Sequence, residues 1–195
     1  MLHNMGVVRM LAGDEDEETV LDLFREAVSM KRDAFGPDHP EVAVSLVEIG
    51  VQCFALERND DALAAFHEAK KIRMHSFGSD HPKVAAVLNN IGCVYFQQKS
   101  PVAALTSFQE ARDMQQHAME RGGAKIDLDL LQVATTLCNL GYIKFHMKNY
   151  EEANTIFEDA LLVRSTLIFY CCVSFVPFFK LSGGSLLYFL QKWGC

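Results

Sequence analysis

Two histidines stand in the same short motif, and histidine beside aspartate is a combination that can bind a metal or move a proton. His39 and His81 each lie in an Asp-His-Pro triplet that follows Phe-Gly by one residue. A glycine before the triplet and a proline at its end are typical of one helix ending and the next beginning. We therefore interpret both histidines as helix caps rather than as metal ligands or catalytic residues.

The other reactive residues form no catalytic or metal-binding motif in the sequence. The chain has no Gly-rich phosphate loop, no nucleophile elbow and no H-E-x-x-H. It has six cysteines: Cys53, Cys93, Cys138, Cys171, Cys172 and Cys195. They show no C-x-x-C pair, which fits a reduced, cytoplasmic compartment. A formal net charge of −7 argues against nucleic acid as a partner, because phosphate binding needs a clustered basic face. We expect a protein that is not an enzyme and has no cofactor or metal.

The histidine motif recurs because the chain repeats itself with a period of about 42 residues, a spacing typical of helical repeat arrays. In each complete copy a glycine is followed by alanine, phenylalanine and alanine at positions +12, +16 and +19. Complete copies are anchored at Gly50, Gly92 and Gly141, and a degenerate first copy carries Phe24 and Ala27. The step from the third copy to the last is longer, and the seven extra residues fall in the connection around 121–125.

A fixed period of this size predicts a stack of helix pairs in which each pair buries its apolar face against its neighbours. Within each copy, apolar residues keep helical spacing on both sides of a short polar turn. We predict an all-α, right-handed solenoid over residues 1–164, with units at about 3–38, 39–80, 81–124 and 125–164. The small residues should let the helices approach closely, and the phenylalanines should fill the space between units.

The Gly, Ala, Phe, Ala pattern resembles that of a tetratricopeptide repeat. The 42-residue length and the F-G-x-D-H-P-x-V-A linker are similar to the kinesin light chain subtype. The resemblance covers about Met5 to Arg164, and it implies a scaffold that binds other proteins or peptides along its concave groove. In that family, asparagines just before the anchor glycine hold extended peptides.

Six residues are therefore candidates for contacts with a peptide in the groove: Asn89, Asn90, Asn139, Phe96, Tyr142 and His146. An asparagine amide can both donate to and accept from a peptide backbone, and aromatic side chains can anchor a ligand. Unit two has Val47-Glu48 at the asparagine positions, so the set of amides is incomplete. Two alternatives remain open: the asparagines are solvated or bridge neighbouring helices, and the aromatic residues belong to the core between repeats.

The repeat pattern stops after Arg164, and residues 165–195 form a hydrophobic tail that we place outside the array. From Ser165 to Phe179 the sequence has no charge and is rich in aromatic and β-branched residues. A membrane anchor is one interpretation, but the run is short and contains Pro177. A cap over the last unit is a second. We favour a third, in which the reading frame has run past the true array into an unrelated end.

The favoured function is a protein-interaction scaffold or adaptor that binds a peptide or a partner's helix in the concave groove. The alternative is a truncated or structural repeat fragment with no ligand of its own. Such a fragment would have its groove filled by the tail or by self-association, and it would contact a membrane, if at all, through the tail.

Overall fold

The computed structural model describes residues 4, 17–121 and 126–181, with side chains described for residues 4, 18–121 and 130–165. The described residues form seven α-helices and no β-strand, which confirms the predicted all-α repeat array. The helices are α1 (Glu17–Phe35), α2 (Pro40–Ala55), α3 (Asn59–Phe77), α4 (Pro82–Gln97), α5 (Pro101–Glu120), α6 (Ile126–His146) and α7 (Tyr150–Leu181). The predicted first helix of unit one lies outside the described residues, apart from Asn4.

Three helix pairs, α2–α3, α4–α5 and α6–α7, are joined by the same three-residue turn. The middle residue of each turn is left-handed, with φ of 59° at Glu57, 58° at Lys99 and 62° at Lys148. In each turn, the backbone N–H of the third turn residue donates a hydrogen bond to the carbonyl of the residue five positions earlier, over 2.8–3.0 Å. This pattern ends the first helix and starts the second within a few residues.

Each pair is packed around the contact between its anchor glycine, on the first helix, and the phenylalanine of the repeat pattern, on the second. A Cβ atom built on Gly50 or Gly92 would lie 2.5 Å from the phenylalanine ring, and one on Gly141 would lie 2.7 Å away. No side chain larger than hydrogen fits there unless the ring moves. The ring of Phe66 also joins an apolar cluster that includes Leu21 of unit one. The phenylalanines therefore fill space within their own pair as well as between units.

The Asp-His-Pro motif caps the first helices of units two and three, as the sequence indicates. Each imidazole Nδ1 accepts a hydrogen bond from the backbone N–H two residues on, over 3.2 Å for His39 and 3.1 Å for His81. Each ring also packs on the phenylalanine four residues before it, with centroids 4.8 Å apart. Gly36 and Gly78 end the preceding helices with φ of 90° and 92°, which glycine adopts without strain.

A basic residue near the end of a second helix joins one unit to the next at two junctions. Lys31 Nζ donates to the backbone carbonyl of Glu41 over 3.1 Å. One repeat later, Arg73 Nη1 donates to the carbonyl of Lys83 over 2.7 Å. We call this the cross-unit hydrogen bond, and it ties α1 to α2 and α3 to α4.

The last helix continues through the predicted end of the array. Helix α7 runs past Arg164 to Leu181 without interruption, so the predicted boundary at 164 falls inside a helix and stays a prediction. Residues 182–195 and the side chains of 166–181 lie outside the described part of the chain. Among the helices that the structure describes, none combines the length and the apolar character that a membrane span requires.

The contact between glycine and phenylalanine makes a direct stability prediction. Replacing Gly92 by alanine places a methyl group 2.5 Å from the Phe108 ring, so the ring must move. Overpacking of this kind costs about 1–3 kcal/mol. Urea denaturation of the full chain should show this loss. Gly92→Ala and Phe108→Leu together should cost less than the sum of their separate costs, because leucine leaves room for the methyl. Additive costs would contradict the proposed contact.

Candidate functional site

The first helices of units two to four, α2, α4 and α6, are consecutive neighbours in the array. They form a pocket of about 360 Å³, which we call the groove pocket. Its lining residues are Phe54, Cys93, Phe96, Gln97, Phe108, Asn139, Tyr142 and Ile143. All but Phe108 belong to first helices, so the pocket marks the face that these three helices share. We call this the first-helix face.

Three of the six predicted residues meet at the edge of this pocket. The ring of Tyr142 lies 5.3 Å from Phe96 and 4.5 Å from His146, and Phe96 lies 5.0 Å from His146. All three contacts are edge-on, which is a favoured geometry for aromatic rings. Tyr142 nevertheless keeps 49% of its surface exposed. The cluster is therefore already assembled and still accessible from solvent.

The aromatic surface continues from His146 towards the turn of unit four. The ring of Phe145 lies 6.0 Å from His146 and 5.4 Å from Tyr150. Phe145 and Tyr150 are both exposed. An exposed aromatic strip beside an apolar pocket is typical of surfaces that bind other proteins.

The three predicted asparagines occupy different surroundings. Asn139 lines the groove pocket beside Tyr142. Asn90 holds the same repeat position one unit earlier and is half-buried. Asn89 is only 6% exposed, and its Nδ2 donates to Thr136 Oγ1 over 2.6 Å. The structure therefore places Asn89 between α4 and α6, where it bridges neighbouring helices instead of facing a ligand.

Sequence reasoning left Cys93 and Gln97 out of the candidate set, although both line the pocket. Cys93 holds the repeat position of Tyr142, and Gln97 that of His146. The repeat register could therefore have found them. Burial raises the pKa of the Cys93 thiol, and also that of Cys53, so both thiols stay protonated at neutral pH and are poor nucleophiles. Among the described residues, no three His, Cys, Asp or Glu side chains are grouped to hold a metal.

Glu48 holds in unit two the position of Asn90 and Asn139. The carboxylate is half-buried, and this burial raises the pKa of Glu48, while the charge of Arg73 acts in the opposite direction. Burial also lowers the pKa of the Arg73 guanidinium, which the charge of Glu48 partly offsets. This repeat position thus carries a charge in unit two, at Glu48, and is neutral in units three and four, at Asn90 and Asn139.

Comparison with known proteins places this geometry among helical repeat proteins. Two family models described as tetratricopeptide repeat match the chain, one over residues 42–117 and the other over 9–41 and 133–167. No curated protein matches the chain significantly.

Similar solved structures include BtubC (BKLC) from P. vanneervenii, with 17% identity and a TM-score of 0.69, over 77% of this chain and 57% of that one. The chain thus spans little more than half of BtubC. A second is a Podosopora anserina putative kinesin light chain with nearly identical TPR-like repeats, with 11% identity and a TM-score of 0.51. That match covers 85% of this chain and 94% of the other. At these identities the likeness concerns the fold.

The half-buried carboxylate of Glu48 predicts a pH-dependent stability. Because the folded-state pKa lies above the ordinary value of 4.5, protonation favours the folded state, and stability falls as the pH rises through that folded-state pKa. Glu48→Gln keeps the uncharged form at every pH. The variant should therefore be more stable than the natural chain at pH 7, with the difference shrinking towards pH 4.

Urea denaturation at a series of pH values measures this difference. Glu26→Gln is the matched control, because Glu26 is exposed on α1. If Glu48→Gln follows the natural chain across the whole range, as the control should, burial of this carboxylate has no energetic consequence.

Proposed function

Since this chain belongs to the tetratricopeptide repeat family, we propose that it binds an extended segment of a partner protein along its first-helix face. Repeats of this family generally act as scaffolds for protein–protein interaction. Catalysis is not their usual role. The chain then serves as an adaptor, without chemistry of its own, and the partner is a protein or peptide rather than nucleic acid.

The groove pocket is the observation that carries this proposal. Its volume of about 360 Å³ is within the range of ligand sites, and its walls are mostly aromatic and aliphatic. It suits one large apolar side chain of the partner. Full burial of such a side chain stabilises a complex by roughly 1.5–3 kcal/mol. The exposed rings of Tyr142 and Phe145 extend the contact beyond the pocket.

Amide side chains beside the pocket would hold the partner's backbone. Gln97 and Asn139 lie in the pocket lining, and Asn90 holds the same repeat position as Asn139 on the neighbouring helix. Each amide offers both a donor and an acceptor, so it can pair with a peptide group whatever side chain the peptide carries. The pocket would then select the anchor residue, while the amides would fix the segment in an extended form.

The binding module in this proposal is the repeat array of residues 1–164, with residues 165–195 outside it. The absence of zinc-type cysteine spacing in the sequence and the buried, protonated thiols of Cys53 and Cys93 fit a reducing compartment. We therefore place the adaptor in the cytoplasm.

A second candidate function is self-association through α7. Leu161 and Leu162 are exposed by 66% and 67%. The same repeat positions hold Lys70 and Lys71 in unit two, and Arg112 and Asp113 in unit three. Apolar residues at positions that elsewhere carry charge are typical of a surface that packs against another protein.

The double variant Leu161→Lys with Leu162→Lys should abolish any dimer of the natural chain seen in sedimentation. An unchanged sedimentation coefficient would exclude this contact.

Peptide binding can be tested with a phage-displayed library of random twelve-residue peptides, selected on the immobilised full chain. Asn90→Ala combined with Asn139→Ala should weaken the selected peptides roughly tenfold or more, because each lost hydrogen bond costs about 0.5–1.5 kcal/mol. The melting temperature should hardly change, since neither side chain fills the core. Isothermal titration calorimetry measures the affinity.

The control is Asn154→Ala, which removes an exposed amide from the second helix of unit four. This variant should bind as the natural chain does. Failure of the library to yield any binder would contradict the proposed function. Equal affinity in the double variant would remove the asparagines from the site.

A further inference from the structure

The cross-unit hydrogen bond is missing at one junction of the array. The residue at the repeat position of Lys31 and Arg73 in unit three is Gln115. It is 3% exposed, and neither atom of its amide group has a hydrogen-bond partner among the described residues. The expected acceptor is the carbonyl of Gln132, which holds the position of Lys83. That carbonyl instead accepts from the Thr136 hydroxyl of its own helix over 2.9 Å.

At this junction, between units three and four, a hydrogen bond instead connects the two first helices, α4 and α6. Asn89 of α4 donates to Thr136 of α6, so that one first helix is tied to the next first helix. The corresponding positions at the previous junction hold Val47 and Val87, which cannot form such a bond. Two further buried oxygens, Asn89 Oδ1 and Gln132 Oε1, have no hydrogen-bond partner in the described part of the chain.

Burying a polar group without a partner is unfavourable, and exposure to water removes this penalty. Separation of α5 from α6 would hydrate the Gln115 amide and would break no cross-unit hydrogen bond of the residues that the structure describes. At the previous junction, separation of α3 from α4 must break the bond of Arg73 to the Lys83 carbonyl. The junction between units three and four should therefore open more easily than the junction before it.

We infer that α6 and the α7 segment paired with it pivot as one body against the rest of the array, about the contact between Asn89 and Thr136. In such a motion one contact is retained as the axis, while a less stable interface separates. The bond between Asn89 and Thr136 supplies the axis. The interface around Gln115 is the one that separates at low free-energy cost, because its buried amide has no hydrogen-bond partner to lose within the described residues.

The groove pocket spans this hinge. Cys93 and Phe96 belong to unit three, whereas Asn139 and Tyr142 belong to unit four. Pivoting of unit four thus changes the distance between two walls of the pocket. A ligand that contacts both walls would stabilise the closed arrangement, because it binds that arrangement more tightly than the open one.

Exchanging the two junctions tests the hinge. The first variant gives the junction of units three and four the residues of the preceding one: Asn89→Val, Gln115→Arg and Thr136→Val. The reciprocal variant gives the preceding junction the polar set: Val47→Asn, Arg73→Gln and Val87→Thr. Hydrogen–deuterium exchange of the full chain, followed by mass spectrometry, reports the opening of each helix pair separately.

In the natural chain, α6 and the first half of α7 should exchange together, and faster than α4 and α5. The first variant should slow their exchange about tenfold, because one charged hydrogen bond is introduced and the unpaired amide atoms of Asn89 and Gln115 are removed. The reciprocal variant should instead speed exchange in α1, α2 and α3. Gln116→Arg, one residue along and exposed to solvent, should change nothing.

Three results would overturn the hinge. One is equal exchange of α6 and α4 in the natural chain. Another is a first variant that is fully helical by circular dichroism but exchanges as before, which would indicate simple fraying of the end of the array. The third is a reciprocal variant without faster exchange in α1 to α3. This last result decides the matter even if the first variant fails to fold.

Discussion

The packing of the array starts from the contact between the anchor glycine and the phenylalanine of each helix pair. It occurs in all three complete pairs, where a Cβ atom would lie 2.5–2.7 Å from the ring. Because the ring lies directly on the glycine, this contact fixes both the distance between the two helices of a pair and their register along the helix axis. Successive first helices then lie side by side, and the groove pocket forms between them.

The sequence was sufficient to predict the fold because the same local chemistry recurs at a fixed spacing. The His39 and His81 caps, the glycine contacts and the buried alanines are set by residues close in the chain. The role of Asn89 was not predictable in this way. Its partner, Thr136, lies in the next unit of the array. At the junction of units two and three, the corresponding positions hold Val47 and Val87. Helix α7 continues past Arg164, where the change of composition suggested the end of the repeat pattern.

The positions that depart from the repeat are the ones that distinguish this array from a uniform stack. Tyr142 and His146 replace Cys93 and Gln97, so the aromatic cluster lies at the boundary of units three and four. Gln115 replaces Arg73 at the same boundary, where it removes a hydrogen bond between units. The groove pocket and the junction without the cross-unit hydrogen bond thus coincide. Binding regions are often drawn from the less stable parts of a protein.

We propose that a partner segment binds across the groove pocket. Nuclear magnetic resonance of the full chain, with labelled phenylalanine, tyrosine and histidine rings, measures this most directly when a library-selected peptide is added. The ring signals of Phe96, Tyr142 and His146 should shift together at one affinity, while those of Phe35 and His39 at the other end of the array should stay in place. Shifts confined to residues outside the first-helix face, with these three rings unchanged, would contradict it.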